Sequence, residues 1–272
     1  KFGKQQGKYY VPQRAAAGLD PWATPQAYDN AKDFFDTGIT WSNSLNVAQM
    51  LDKSSYSISL GNTHQDGIIS STGMDRYNVK VSADTKLTNN WSSGFTANYI
   101  TTSIDKAVTS GNGLLRTVYA APPSYDLAGI PSHVDGNPYT QNSFRGSFDN
   151  AYWAMENNKF TEDTNRFFGN VYASYQTDFG TTNHKLNAKY MVGVDAYTTH
   201  YVDSYGYGSN TGGGRGQIEN YGWTNATYNS LSSWVSVSIL VGIKFNIMIC
   251  RGRMSCGVRA LVAHDKDILD FQ

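Results

Sequence analysis

The sequence predicts an all-β fold of antiparallel transmembrane β-barrel strands, and three observations predict it. The first is a hairpin, Asp75 to Thr102, in which Tyr77, Val79, Val81, Ala83, Thr85 and Leu87 alternate with Asn78, Lys80, Ser82, Asp84 and Lys86. After Thr88, Asn89 and Asn90 the period of two resumes with Trp91, Ser93, Phe95, Ala97, Tyr99 and Thr101, so the two arms form an antiparallel pair. Each arm is long enough to cross a bilayer as a tilted strand, which takes roughly 9 to 11 residues. Tyr77, Tyr99 and Trp91 stand at the ends of that crossing, where aromatic girdles belong. The second observation is composition: 19 Tyr, 26 Gly and only 16% charged residues suit many strands joined by flexible loops. The third is the order of connections along the chain, which runs tight, wide, tight, very wide, tight, wide. Transmembrane barrels have short periplasmic turns and longer extracellular loops. A Greek-key sandwich has no reason to sort its connections by parity.

Taken in order, residues 1–34 carry Tyr9, Tyr10, Pro12, Pro21, Trp22 and Pro25 without a sustained period and read as an irregular lead-in, with at most a short helix near Gln26 to Lys32. Residues 35–234 read as barrel strands. Phe35, Thr37, Ile39, Trp41, Asn43, Leu45 and Val47 give the first, followed by a tight turn at Gln49 to Asp52. Ser54 to His64 gives the second, and a wider connection from Gln65 to Met74 leads into the hairpin. The alternation lapses over about 104–164, far longer than an ordinary loop and therefore functional or partly structured. It resumes in Arg166 to Phe179 and Lys185 to His200, joined by a tight turn at Gly180 to His184. A Gly-rich wide loop, Tyr205 to Gly216, precedes Gln217 to Tyr228. Residues 235–272 form a tail in which the alternation degrades before a final strand end.

Several function classes drop out. Lys+Arg 22 against Asp+Glu 22 leaves a formal net charge of +0, so no electrostatic footprint for nucleic acid is visible. A mean hydropathy of −0.46 and the lack of a long apolar run exclude a helical membrane span. They leave a barrel open, because its inward-facing residues dilute hydropathy. Cys250 and Cys256 lie close together without a histidine at metal-ligand spacing, so neither a disulfide framework nor a metal site is expected. His64, His133, His184, His200 and His264 are scattered, and no catalytic constellation stands out; the chain is not expected to be an enzyme and needs no cofactor. Gly212-Gly213-Gly214-Arg215-Gly216 lacks the Lys-Ser/Thr ending of a phosphate loop and reads as a loop tip. Asp135-Gly136-Asn137 lacks the spacing of a full calcium loop and reads as a turn. The chain opens on Lys1-Phe2-Gly3-Lys4, so any signal peptide is expected upstream.

Several stretches resemble one family, the SusC/RagA-type TonB-dependent outer-membrane transporters of Bacteroidetes-like bacteria. Asp33-Phe34-Phe35-Asp36-Thr37-Gly38 resembles that family's lead-in to an early barrel strand, and Ser54 to Asn62 with Gln65-Asp66-Gly67-Ile68 looks like its next strand and loop. Leu114-Leu115-Arg116, Pro122 to Leu127 and Asn137-Pro138-Tyr139 are similar to its long loop region. Asp149-Asn150-Ala151-Tyr152-Trp153 and Asn165 to Asn170 look like the approach to the following strand. The resemblance spans about Lys32 to Tyr228. It implies a partial barrel: a piece of a large plugged barrel of about 22 strands, in which the plug and the TonB-contacting segment have no counterpart here. It implies an importer of oligosaccharides or peptides in the outer membrane of a Gram-negative bacterium. Its implied partners are a SusD-like surface lipoprotein that closes over the ligand, outer-membrane lipid, and TonB–ExbB–ExbD acting through other parts of the chain. The tail departs from the family pattern; Trp234 to Cys256 is read as divergent or mistranslated, and Gly257 to His264 again as a family strand end.

The long loop is the expected place of function, because aromatic faces beside hydrogen-bonding groups suit stacking on sugar rings or gripping peptide. Tyr125, Tyr139, Arg145, Asp149, Tyr152 and Trp153 are the candidate substrate-binding residues. The same aromatics can equally pack the loop against itself. Two other readings of the whole chain stay open: a small passive outer-membrane barrel or adhesin, and a soluble glycan-binding β-sandwich, which shares the alternation within strands.

Overall fold

The computed structural model describes residues 4–5, 7–108, 113–179, 183–240, 243–248 and 252–261. The lead-in holds β1 (Lys4–Gln5), β2 (Lys8–Tyr10), α1 (Pro12–Ala16), β3 (Trp22–Ala23) and α2 (Asn30–Phe34). Then come β4 (Thr40–Met50), β5 (Ser54–Asp66), β6 (Gly73–Lys86) and β7 (Trp91–Lys106). The long loop contains α3 (Leu114–Ala120), β8 (His133–Val134), β9 (Asn137–Gln141) and α4 (Ala151–Asn157). Long strands follow: β10 (Lys159–Phe179), β11 (Asn183–Tyr207), β12 (Arg215–Leu240), β13 (Ile243–Met248) and β14 (Gly252–Leu261).

One antiparallel sheet runs β4-β5-β6-β7-β10-β11-β12, with β13 and β14 both on the far side of β12. β13 pairs Val235 with Met248 and β14 pairs Ser232 with Gly252, so the two share one lateral position end to end. Among the described residues β4 does not pair with β13 or β14, and the sheet is not closed. This is an all-β architecture, part of a barrel rather than a whole one.

The faces of the sheet differ because directly opposed residues share a side and the side-chain period is two. Leu45, Leu60, Val79, Tyr99 and Phe167 are opposed in successive strands. So are Val47, Ile58, Val81, Ala97 and Gly169. Among the described residues nothing packs on this side: Leu45 is 59% exposed, Ile58 49% and Val171 52%. The other side is polar and cross-linked. Ser57 and Ser82 hydroxyls meet at 2.8 Å, and those of Ser92 and Ser174 at 2.7 Å. Arg166 donates from Nε and Nη2 to the two carboxylate oxygens of Asp195 at 2.9 and 2.6 Å. Tyr172 Oη lies 2.5 Å from Asp84 Oδ1, crossing Gly94, which stands between them in the register.

The connections sort by end. Leu51 to Lys53 and Leu87 to Asn90 are tight and lie at one end; residues 67–72, 107–158 and 208–214 are wide and lie at the other. The expected turn at Gly180 to His184 falls at the tight end, with 180–182 outside the described residues, as are Cys250 and His264. Strand lengths differ from the sequence expectation. β4 starts at Thr40 rather than Phe35, because Phe34 and Phe35 are drawn into a core elsewhere, with ring centroids 5.3 Å apart. β10, β11 and β12 run past their apolar alternation at the wide end, where paired polar and aromatic residues carry the ladder on.

The buried core lies almost wholly outside the sheet. Val11, Phe34, Val118, Leu127, Ile130 and Trp153 form its centre, so lead-in and long loop fold as one cap. Backbone and side-chain bonds join these distant pieces. Tyr28 N donates to Pro123 O at 2.7 Å, Tyr9 Oη to Ser124 O at 2.6 Å, and Asn142 Nδ2 to Gln13 O at 2.8 Å. Asn30 donates to Pro122 O at 3.3 Å and accepts from Leu127 N at 3.1 Å. The lead-in is thus more ordered than its aperiodic sequence predicts. Its α2 is capped by Asp29, whose side chain accepts from Lys32 N at 3.1 Å. The Asp135-Gly136-Asn137 run is the turn between β8 and β9, with Gly136 at φ 70°.

Candidate ligand-binding site

At the wide end of the polar face, under the cap, lies a cavity of about 860 Å³, bordered by the 66–72 loop and by Lys106, Phe160, Asp203, Tyr205 and Tyr221. The register brings these residues together. Phe160 on β10 is opposite Lys106 on β7 and Asp203 on β11, and Asp203 is opposite Glu219 on β12. One step nearer the tight end, Glu162 is opposite Tyr201, which is opposite Tyr221. Neighbouring strands lie about 4.8 Å apart, so opposed side chains touch.

Lys106 Nζ lies 3.2 Å from Glu162 Oε2 and 4.4 Å from the centroid of the Tyr201 ring. Tyr201 stacks on Tyr221 with centroids 5.0 Å apart and planes 9° from parallel, and its ring also lies 5.1 Å from Trp223. Tyr221 Oη donates to Asp203 Oδ2 at 3.2 Å. Tyr205 meets Phe160 edge-on at 5.0 Å. The result is a wall of ring faces set with carboxylates, able to stack on and hydrogen-bond a flexible polar ligand. Among the described residues no group of three or more His, Cys, Asp or Glu side chains could hold a metal ion.

The candidates in the long loop do not form one surface. Tyr125, Asp149 and Trp153 are buried in the cap, whereas Tyr139 and Arg145 are exposed. Trp153 fills the cap core and donates from Nε1 to Pro138 O at 2.9 Å. Asp149 is a clamp: it accepts from Gln141 Nε2, Ser209 Oγ and Asn210 N, each at 2.7 Å, and so ties the cap to the β11–β12 connection. Tyr152 donates to Asp33 O at 3.2 Å, and burial, then the nearby Asp33 charge, push its phenol up from the ordinary value. Tyr125 sits 5.6 Å from the Phe144 ring; burial pushes its phenol up strongly, and its hydroxyl has no hydrogen-bond partner among the described residues. Tyr139 meets Tyr207 edge-on at 6.0 Å, and the Arg145 guanidinium lies 5.7 Å from the Phe148 ring.

Sequence reasoning missed Lys106, Glu162, Tyr201, Asp203, Tyr205 and Tyr221, which lie where the apolar alternation fails. A signal existed. Counting outward by equal steps from Phe179 and His184, which flank the tight turn, places Phe160 opposite Asp203 and Glu162 opposite Tyr201.

An unclosed antiparallel sheet with one exposed apolar face, one polar face and connections sorted by end defines a class: a portion of a β-barrel. Its fold is similar to a solved structure of the RagAB peptide importer in the "closed-closed" state, with a TM-score of 0.63 and 15% sequence identity, over 79% of this chain and 24% of that one. At that identity the likeness establishes the fold alone. The chain spans well under half the length of the protein it resembles. No protein-family model and no curated protein matches it.

Proposed function

We propose that the chain is part of the barrel of a TonB-dependent outer-membrane importer of oligosaccharides or peptides, working with a SusD-like surface lipoprotein. The observation that carries this reading is the two-faced sheet: an unpacked apolar side such as Val79, 41% exposed, opposite a cross-linked polar side. In this reading the apolar face meets lipid and the polar face lines the lumen, with the tight turns periplasmic and the cap outside. Phe95 and Val81 then face lipid, Lys80, Asp84 and Asn98 face the lumen, and Trp91, whose ring lies 4.9 Å from Tyr175, sits at the periplasmic rim.

Peptide transport by the structural neighbour and the family resemblance of the loop motifs support the import reading. The cavity at the wide end stands where incoming ligand arrives, and Tyr139 and Arg145 are proposed as further contacts on the cap. Tyr125, Asp149, Tyr152 and Trp153 act by shaping that cap. A small closed barrel needs β4 to pair with β13 and β14, and among the described residues it does not. For the tail, residues 235–256 are proposed to be divergent or mistranslated; an intact reading frame on resequencing overturns that.

Deletion of the full gene should abolish uptake of one class of labelled oligosaccharide or peptide at limiting concentration. Unchanged uptake across both classes sinks the import reading.

A further inference from the structure

We infer that the cavity at the wide end of the polar face is a subsite for a cationic nitrogen group, an ammonium or guanidinium, on the ligand. This inference rests on the import reading and names the chemistry its site selects.

Its centre is one carboxylate in an aromatic frame. Asp203 shares its face with Tyr201 and Tyr205, two residues to either side, and is opposite Phe160. Its carboxylate accepts from the Tyr221 phenol, a neutral donor, at 3.2 Å. Ring faces attract cations placed within about 6 Å of the centroid, most strongly where water is excluded. The protein already uses one of these rings so: Lys106 Nζ sits 4.4 Å from the Tyr201 centroid.

That lysine does not neutralise the cavity, because its charge is matched by Glu162 at 3.2 Å. Asp66 and Asp203 are the remaining charged side chains in the lining. Asp66 lies 3.3 Å from His64, whose other ring nitrogen is hydrogen-bonded to Asp75 at 2.7 Å. The cavity therefore has an excess of negative charge beside the rings of Phe160, Tyr205 and Tyr221, which line it. A neutral sugar gains from the rings, and its hydroxyls can donate to the carboxylate, but it has no charge to set against that of the cavity. A group carrying a positive nitrogen gains from both.

Two sources offer that group, the side chain of a basic peptide and the amine of a deacetylated amino-sugar oligomer. The test uses the full-length protein purified from outer membranes, with four probes in isothermal titration: a lysine-containing hexapeptide, its Nε-acetyl counterpart, a glucosamine hexamer and an N-acetylglucosamine hexamer. At least one amine probe should bind about tenfold more tightly than its acetylated partner, and the arm in which this occurs names the source. Asp203→Asn should bring that ratio close to one, and Asp203→Glu should retain part of it. Tyr205→Leu should weaken the amine probe more than the acetylated one, and it carries the test if Asp203→Asn fails to run as a heat-modifiable barrel. Equal binding of amine and acetylated probes overturns the subsite while leaving the importer intact. A ratio unchanged in assembled Asp203→Asn, or in Tyr205→Leu, overturns it as well. Binding of none of the four, together with unchanged uptake in the deletion strain, overturns the import reading and this inference with it.

Discussion

Asp149 does more for the molecule than its place in an aromatic-rich loop suggests. It is 5% exposed, and its carboxylate satisfies three donors from two segments far apart in sequence. Asp149→Ala removes all three bonds and leaves the Ser209 hydroxyl buried without an acceptor, while Gln141 Nε2 keeps Gly208 O; the cost to the docking of the cap is about 1 to 3 kcal/mol. Hydrogen exchange should then quicken across residues 113–158 while the strands keep their protection; uniform protection in the variant would count against the clamp. Gly94 works by absence. A Cβ there would meet the Asp84 carboxylate and the Tyr172 ring, so the bare backbone is what lets Tyr172 reach across to Asp84. At this scale little was legible in the sequence. The chemistry of Asp149, Tyr152 and Trp153 marked them as ligand contacts, but whether an aromatic or a carboxylate faces a ligand or a core depends on partners that local pattern does not reveal. Asp203 and Tyr221 carried no local mark at all, because their meaning comes from residues opposite them on other strands.

The strands themselves were legible, since a two-residue period is a local property and pairing follows from the turns. The hairpin of β6 and β7 pairs as its alternation requires, with Val79 opposite Tyr99 and Ala83 opposite Phe95. Its two faces make opposite demands. With the apolar face against lipid, as proposed, Val81→Lys places an ammonium in the middle of the apolar band, costing about 2 to 4 kcal/mol at a bilayer midplane. Ser82→Lys faces the polar side and should be tolerated. Outer-membrane fractionation with heat-modifiability gels should show loss of the assembled band for the first and retention for the second. Equal assembly of both variants would refute the placement of the faces. Element ends were less legible. β4 begins later than its alternation because Phe35, the first residue of that pattern, packs against the cap core beside the buried Phe34 rather than starting a strand.

For the molecule as a whole, the sorting of connections by length makes the two ends of the sheet legible in the sequence, with tight turns at one and wide loops at the other. The cap was invisible by the same means. Its bonds link Tyr9 to Ser124 and Asn30 to Leu127, and a core assembled over such separations leaves no period in either segment. The dependence is mutual and can be tested. Removing residues 4–35 from the full-length protein uncovers Val118, Leu127 and Trp153, and the 113–158 segment should become a target for limited proteolysis on intact cells. The barrel strands should still assemble, because the cap is no part of their ladder. Resistance of that segment after the deletion would show that the long loop folds alone.

The position of the lead-in has a further consequence, one of parity. Residue 40 enters the sheet at the wide-loop end, since β4 runs from there toward the tight turn at Leu51 to Lys53. Any stretch of chain preceding β4 therefore arrives at the capped side. Each traversal of an up-and-down sheet changes sides, so a polypeptide that begins on the tight-turn side can reach β4 only after an odd number of crossings.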